Sequence, residues 1–150
     1  MKTVFTAASP LHEQTGLGSV KLALLDLNRD FCRILPDGPG QTVTVRLNPA
    51  LQQPESYEIR ITASGADIAA ADELGAIYGI YRFSGEYLGV DPLWFWKDVY
   101  PAGRKEPLAL DEQTIRSETS CFNWRGWFIN DEDLLTEWHE PSGQRHIDYP

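Results

Sequence analysis

The residues best placed to do chemistry are Asn130-Asp131-Glu132-Asp133, which close an apolar run over residues 122–130. A strand ending in such a cluster delivers polar groups at its carboxyl end, where parallel β/α architectures assemble their active sites. Carboxylates there serve as general acid, general base or acceptors for sugar hydroxyls. The same residues also read as a solvated acidic turn behind an edge strand. Successive strand residues face opposite sides, so Asp131 and Glu132 share a target only if the chain turns between them.

Two other constellations fail in detail. Thr15-Gly16-Leu17-Gly18-Ser19-Val20-Lys21 leads glycines into a helix, as phosphate loops do. Lys21 stands where the dinucleotide pattern needs glycine, and Gly-Lys-Ser/Thr never occurs in the order a Walker loop requires. The segment reads as a plain helix start. His139-Glu140 opens like a zinc-protease motif, but the next histidine is His146 and Pro141 disfavours helix. No cofactor and no metal site is expected. Cys32 and Cys121 form no CxxC pair and read as two buried thiols.

All five tryptophans lie between residues 94 and 138. Indole faces stack on sugar rings, and they equally fill cores. The net charge of −9, from 22 acids against 13 Lys and Arg, repels phosphate backbones and anionic membrane surfaces. Nucleic acid and membrane are therefore excluded as expected partners. The opening residues lack the apolar stretch of a signal peptide, so the chain reads as soluble and untargeted as written.

The elements that must position these groups follow from periodicity. Residues 19–35 carry Val20, Leu24, Leu27, Phe31 and Ile34 on one helical face, with Ser19 as the expected N-cap and Pro36 as the stop. Residues 42–47 and 57–62 alternate in period two and predict an adjacent antiparallel pair. A second helix is expected over residues 66–88, with Ile68, Leu74, Ile77, Tyr81, Ser84 and Leu88 on one side and Ile80 and Phe83 widening it. Gly75 and Gly79 would permit close approach, and Gly89 would end the helix left-handed. Residues 4–7 read as a strand, 93–96 as a short strand or packed turn, and 101–110 as an extended linker. Two helices on one face of a small mixed sheet give an α+β domain. The remaining residues do not close a second core, which predicts a natural chain that continues.

Several segments taken in order resemble glycoside hydrolase family 115, the xylan α-glucuronidases. They are Gly18-Ser19-Val20-Lys21 with Asp26-Leu27-Asn28-Arg29-Asp30, Gly75-Ala76-Ile77-Tyr78-Gly79-Ile80-Tyr81, Gly89–Val99, and Arg125-Gly126-Trp127-Phe128-Ile129-Asn130-Asp131-Glu132. The most specific are Trp94-Phe95-Trp96-Lys97-Asp98 and the Arg125–Glu132 segment. The resemblance implies an N-terminal α/β accessory domain (1–110), then a linker and the first strand of a truncated (β/α)8 barrel (111–150). It implies removal of 4-O-methyl-glucuronic acid from xylan with inversion, and it marks Asp131 as the catalytic position. Asn130, Glu132 and Trp127 would bind the sugar. Trp127 stands where a smaller aliphatic is expected, and family members usually act outside the cytoplasm.

Two other classes remain open on the residues alone. One is a stand-alone carbohydrate-binding or scaffold module using Trp94, Trp96, Trp124 and Trp127 as platforms. The other is a small interaction domain with an acidic face. The expected partner is a carbohydrate, reached through the rest of the barrel, with a homo-oligomer left open.

Overall fold

The computed structural model describes residues 2–97, 99–118, 120, 122, 125 and 126. The chain divides into two compact units, Met1–Thr119 and Ser120–Pro150, and the first holds all the regular structure described below.

Strand β1 (Thr3–Phe5) is followed by β2 (Leu11–Glu13) and helix α1 (Gly18–Ile34). Then come β3 (Thr42–Leu47), β4 (Tyr57–Thr62), β5 (Gly65–Ala70) and α2 (Glu73–Phe83), which runs on into a π-helical turn, Ser84–Leu88. A short helix α3 (Trp94–Lys97) and strands β6 (Leu108–Leu110) and β7 (Gln113–Arg116) complete the unit. Five strands make a mixed sheet in the order β2-β3-β5-β4-β7, and β1 pairs with β6 in a separate two-stranded ribbon. Two helices packed on a small mixed sheet are the expected fold class. No barrel is seen among the described residues.

Helix α1 forms where its periodicity predicts. Val20, Leu24, Leu27, Phe31 and Ile34 are all buried against the sheet. Each large apolar side chain so removed from water stabilises by about 1.5–3 kcal/mol. The helix begins at Gly18, with Leu17 at its N-cap. Ser19 therefore lies inside the first turn, and its hydroxyl bonds Glu73 of α2 instead of capping. Cys32 is exposed and free, contrary to the expectation of a buried thiol, because it falls off the apolar stripe. Cys121 lies outside the described residues.

The predicted β3–β4 pair is corrected. Strand β5 lies between them, parallel to β3 and antiparallel to β4, with Ile68 opposite both Val45 and Ile59. Residues 66–70 are thus strand rather than the start of a helix. This central strand is built mostly from Gly and Ala, so its apolar periodicity is faint. Asp72 sets the true helix start: its carboxylate accepts from the amides of Gly75 and Glu55, both at 2.8 Å.

The buried face of α2 is Gly75, Ala76, Gly79, Ile80 and Phe83. Tyr81 and Leu74, expected inside, are exposed, and Ile77 is half-buried. A Cβ on Gly75 would sit 2.5 Å from the Ser56 carbonyl oxygen, and one on Gly79 2.6 Å from Ile68 Cγ2. These two glycines bring α2 down onto the sheet, as their spacing suggests. Gly89, at φ 75°, ends the π turn left-handed.

Residues 94–97 are a short helix where a short strand or packed turn is expected, and the end of the expected linker over 101–110 pairs as β6, with β7 after it. Arg104 anchors it, donating from its amide to Ile34 O at 2.6 Å and from its guanidinium to Tyr87 O at 3.0 Å. Phe5, Phe31 and Phe83 meet at the centre of the core, with ring centroids 5.7–6.3 Å apart.

Candidate functional site

Among the described residues, ionisable and aromatic side chains converge where α1, the end of α2 and the α3 segment meet. Asp30 lies on the apolar stripe of α1, between Leu27 and Ile34 in helical spacing, and is only 2% exposed. Burying an isolated carboxylate is costly, and this one is fully compensated. Its Oδ1 accepts from Arg29 Nη2 at 3.0 Å, Arg29 Nε at 3.2 Å and the Tyr100 hydroxyl at 2.6 Å. Its Oδ2 accepts from Ser84 Oγ at 2.5 Å.

One turn earlier, Asp26 accepts from Arg29 Nη1 at 2.8 Å and from the Tyr81 hydroxyl at 2.6 Å. Aromatic faces close the cluster. Arg29 lies 5.3 Å from the Trp94 ring, Arg33 lies 4.1 Å from the Tyr100 ring, and Trp94 meets Tyr100 edge-on at 5.2 Å.

The electrostatics suit a brace. Burial, reinforced by the bonds to Asp26 and Asp30, pushes the Tyr81 and Tyr100 hydroxyls up to about 12, so both remain neutral donors at pH 7. Burial alone would lower the Arg29 guanidinium, but Asp30 and Asp26 outweigh it and raise it. Each oxygen of both carboxylates accepts from Arg29 or a hydroxyl, the arrangement of a structural brace. The node holds the α3 segment against α1. In the sequence Asp30 reads, with Asp26 and Arg29, as the polar side of α1; the signal passed over is that Asp30 lies three residues after Leu27 and four before Ile34, beside the apolar stripe.

The glycine loop before α1 is likewise occupied from within. The Glu13 carboxylate accepts from the Gly16 amide at 2.7 Å and from the amide and hydroxyl of Thr15. These bonds, that of the Thr15 hydroxyl above all, hold the Glu13 carboxyl below its usual range. An internal carboxylate thus fills the place a phosphate would take.

The sheet face away from the helices is polar. Arg46 grips Asp67 in a bidentate pair at 2.7–3.2 Å, and Arg60 and Arg116 share Glu58 at 2.6 and 2.8 Å. A shallow groove of about 320 Å³ runs beside Arg46, Thr44, Thr62 and Asp67. Among the described residues no three His, Cys, Asp or Glu side chains are grouped to hold a metal ion.

Trp127, Asn130, Asp131 and Glu132 lie outside the described residues, as do Trp124, Trp138, His139 and His146. Of the expected tryptophan platforms, Trp94 packs against the core beside Tyr100 and Arg29.

No protein-family model and no curated protein matches this chain. Solved structures do. A family GH115 4-O-methyl-α-glucuronidase, BtGH115A, with specificity for decorated arabinogalactans, superposes over 77% of this chain with TM-score 0.61 and 19% identity. A Flavobacterium johnsoniae chitobiase of family GH20 superposes over 84% with TM-score 0.51 and 14% identity. The chain spans only 18% and 20% of those two proteins. At such identities the likeness is one of fold: this α+β sandwich resembles a portion of glycoside hydrolases.

Proposed function

We propose that this chain is the amino-terminal part of a glycoside hydrolase, an α+β accessory domain preceding a (β/α)8 catalytic barrel whose first strand carries Asn130-Asp131-Glu132. The observation that carries this reading is the superposition on the α-glucuronidase, taken with the ordered motifs that resemble the same family. The reaction is removal of (4-O-methyl)glucuronic acid from a plant polysaccharide, xylan in the first instance. Decorated arabinogalactan is the alternative polymer, since that is the specificity of the superposed enzyme. Asp131 orients the sugar or the attacking water, and Asn130, Glu132 and Trp127 contact the sugar. An inverting reaction needs a second carboxyl group across the scissile bond, separated by about 6.5–9.5 Å to admit water.

The test begins with the gene beyond Pro150. Several hundred further residues with βα periodicity support the reading, and a nearby stop codon supports a stand-alone carbohydrate-binding module. The parent protein is then assayed on uronate-decorated xylan and arabinogalactan oligosaccharides. In that enzyme Asp131→Asn lowers kcat/KM at least about 100-fold with folding unchanged, while Asp133→Asn is nearly silent. Near-native activity of Asp131→Asn removes the site assignment.

A second reading rests on the chitobiase superposition, which covers more of this chain. Turnover of an aryl N-acetylglucosaminide by the parent, with none of an aryl glucuronide, would favour it.

A further inference from the structure

The sheet is covered on one face and open on the other. Val43, Val45, Ile59, Ile61 and Ile68 point toward the helices and are buried. Successive strand residues alternate, so their neighbours point outward, and these fall into rows across the strands. Arg46, Ala69, Glu58 and Arg116 stand side by side in one row, with Thr44, Asp67, Arg60 and Thr114 in the next. Glu58 and Asp67 are the recessed members, 15% and 32% exposed, whereas the three arginines are 40–72% exposed. A chain of net charge −9 thus presents three arginines over two carboxylates here. Salt screens charges beyond about 8 Å, so a ligand on the sheet meets this local pattern rather than the acids of the helix layer.

The guanidinium groups are held in advance. Among the described residues, Arg46 commits Nε and Nη2 to Asp67, Arg60 turns Nη2 to Glu58 and Arg116 turns Nε to it. That leaves Nη1 of each for a ligand. The carboxylates keep these forks oriented before anything binds, which lowers the ordering cost of recognition. Beside them opens the groove of about 320 Å³. Gly65 makes it, because it sits opposite both Thr42 and Thr62 and puts no side chain between them.

We propose that this open sheet face is a binding surface for a uronate-bearing polysaccharide, gripped by its carboxylates at the arginines and by its hydroxyls in the groove. The mixture of groups selects this ligand. Guanidinium forks match carboxylates, while Asp67, Glu58 and the threonine hydroxyls keep lone pairs for sugar hydroxyls. A uronic acid polymer carries both kinds of partner along one chain. A phosphate-dense polymer would meet a repelling carboxylate beside each arginine, and a neutral glycan would leave the arginines unused. The role is to hold the polymer, and it needs no barrel, so the inference goes beyond the catalytic reading above.

Affinity electrophoresis of the 150-residue chain tests this in gels cast with 4-O-methylglucuronoxylan, or with the same polymer after reduction of its carboxyl groups. The native polymer retards the chain, and the reduced polymer binds about tenfold or more weakly. Arg60→Gln with Arg116→Gln weakens retention by native xylan to a similar extent. Arg82→Gln with Lys105→Gln removes the same charge from elsewhere and leaves retention unchanged. Thr44→Val keeps both charge and strand preference, and weakens retention about threefold or more. Equal retention by native and reduced polymer overturns the proposal, as does an equal loss in the two charge-removing variants. Retention by dextran sulfate as strong as by the xylan assigns a general anion surface and overturns the uronate as ligand. A parent enzyme that cleaves uronate-decorated xylan, while residues 1–150 ignore the polymer, overturns this surface and leaves the glycosidase reading standing. Uronate-dependent retention by a chain whose gene stops just after Pro150 supports the surface and removes the barrel.

Discussion

The Tyr100 hydroxyl donates to Asp30 Oδ1 at 2.6 Å across seventy residues of sequence. That bond ties the α3 segment to the middle of α1, at a carboxylate that is almost wholly buried. Tyr100→Phe leaves the other three donors to Asp30 in place and should cost about 1.5–3 kcal/mol, the range for a hydrogen bond to a charged group. Asp30→Ala leaves the Ser84 and Tyr100 hydroxyls without their acceptor, while Arg29 keeps Asp26, and should cost more, about 3–5 kcal/mol. Urea unfolding of the 150-residue chain, with the denaturant slope unchanged, measures both. A Tyr100→Phe variant as stable as the parent sequence would show that the bond contributes nothing.

Alkaline pH acts on the same node. Tyr81 and Tyr100 ionise at about 12 in the fold, because burial disfavours the phenolate and their bonds to Asp26 and Asp30 hold the proton. In the unfolded chain tyrosine ionises near 10. The folded state therefore keeps these protons to higher pH. Their stabilising contribution is complete below about pH 10 and is lost as pH rises through 12. Phenolate absorbance should show Tyr81 and Tyr100 titrating last, together with loss of the far-ultraviolet helix signal, while burial also raises Tyr57 and Tyr87. The amplitude that titrates near 12 should fall by one group in Tyr81→Phe.

Glycine replacement separates packing from propensity. Ala is favoured over Gly in a helix by up to about 1 kcal/mol. At Gly18 an added methyl meets nothing within 4 Å, so Gly18→Ala should be neutral or slightly stabilising. At Gly79 the methyl would meet Ile68 Cγ2 at 2.6 Å and Tyr57 Cγ at 3.4 Å, both in packed positions. Overpacking of about 1–3 kcal/mol outweighs the propensity gain there, and Gly79→Ala lowers the melting temperature. Equal melting of the two variants would refute the close approach of α2 to β5.

Residues 1–150 alone should release no nitrophenol from an aryl glucuronide or an aryl N-acetylglucosaminide. Glycoside cleavage needs two available carboxyl groups flanking the bond. Asp26 and Asp30, brought together one helical turn apart, are committed to Arg29, Tyr81, Ser84 and Tyr100. Measurable turnover by the purified chain would refute this.

What could be read from the sequence depended on how loudly each segment spoke. Helix α1 has a broad apolar stripe and a proline stop, and its limits fall within a residue of those expected. Strands β3 and β4 are rich in β-branched residues and were equally plain. Strand β5 was absorbed into α2 because Gly65-Ala66-Asp67-Ile68-Ala69-Ala70 lacks the bulky alternation that marks a strand. Its small side chains are required at the sheet centre, where α2 presses close, so the feature that hides it is the one that lets it pack. Strand β1 was expected over residues 4–7 and forms at Thr3–Phe5, whereas β2 and β6, with three residues each, are too short for a period to show. In the node, Asp26, Arg29 and Asp30 all read as the polar side of α1, and the burial of Asp30 came from partners, Ser84 and Tyr100, that lie 54 and 70 residues away. The catalytic assignment rests on residues outside those described, and there the reading remains a proposal.

The pairing of β1 with β6 sets an order on folding. Strands β4 and β5 meet across a two-residue turn, Ala63-Ser64, and can zip at once after collapse. Thr3 meets Leu110 only after nearly the whole unit has been threaded into place, because closing so long a loop must await the contacts that reward it. The β1–β6 pairing is thus the last to lock. Strand β1 carries Phe5 into the core, and Thr3 donates to Thr62 O at 2.5 Å, bonding the late ribbon to the end of the early hairpin. Amides of β1 and β6 should acquire exchange protection after those of β4 and β5. A chain shorn of residues 1–6 would keep the hairpin yet leave the aromatic centre of the core open to water.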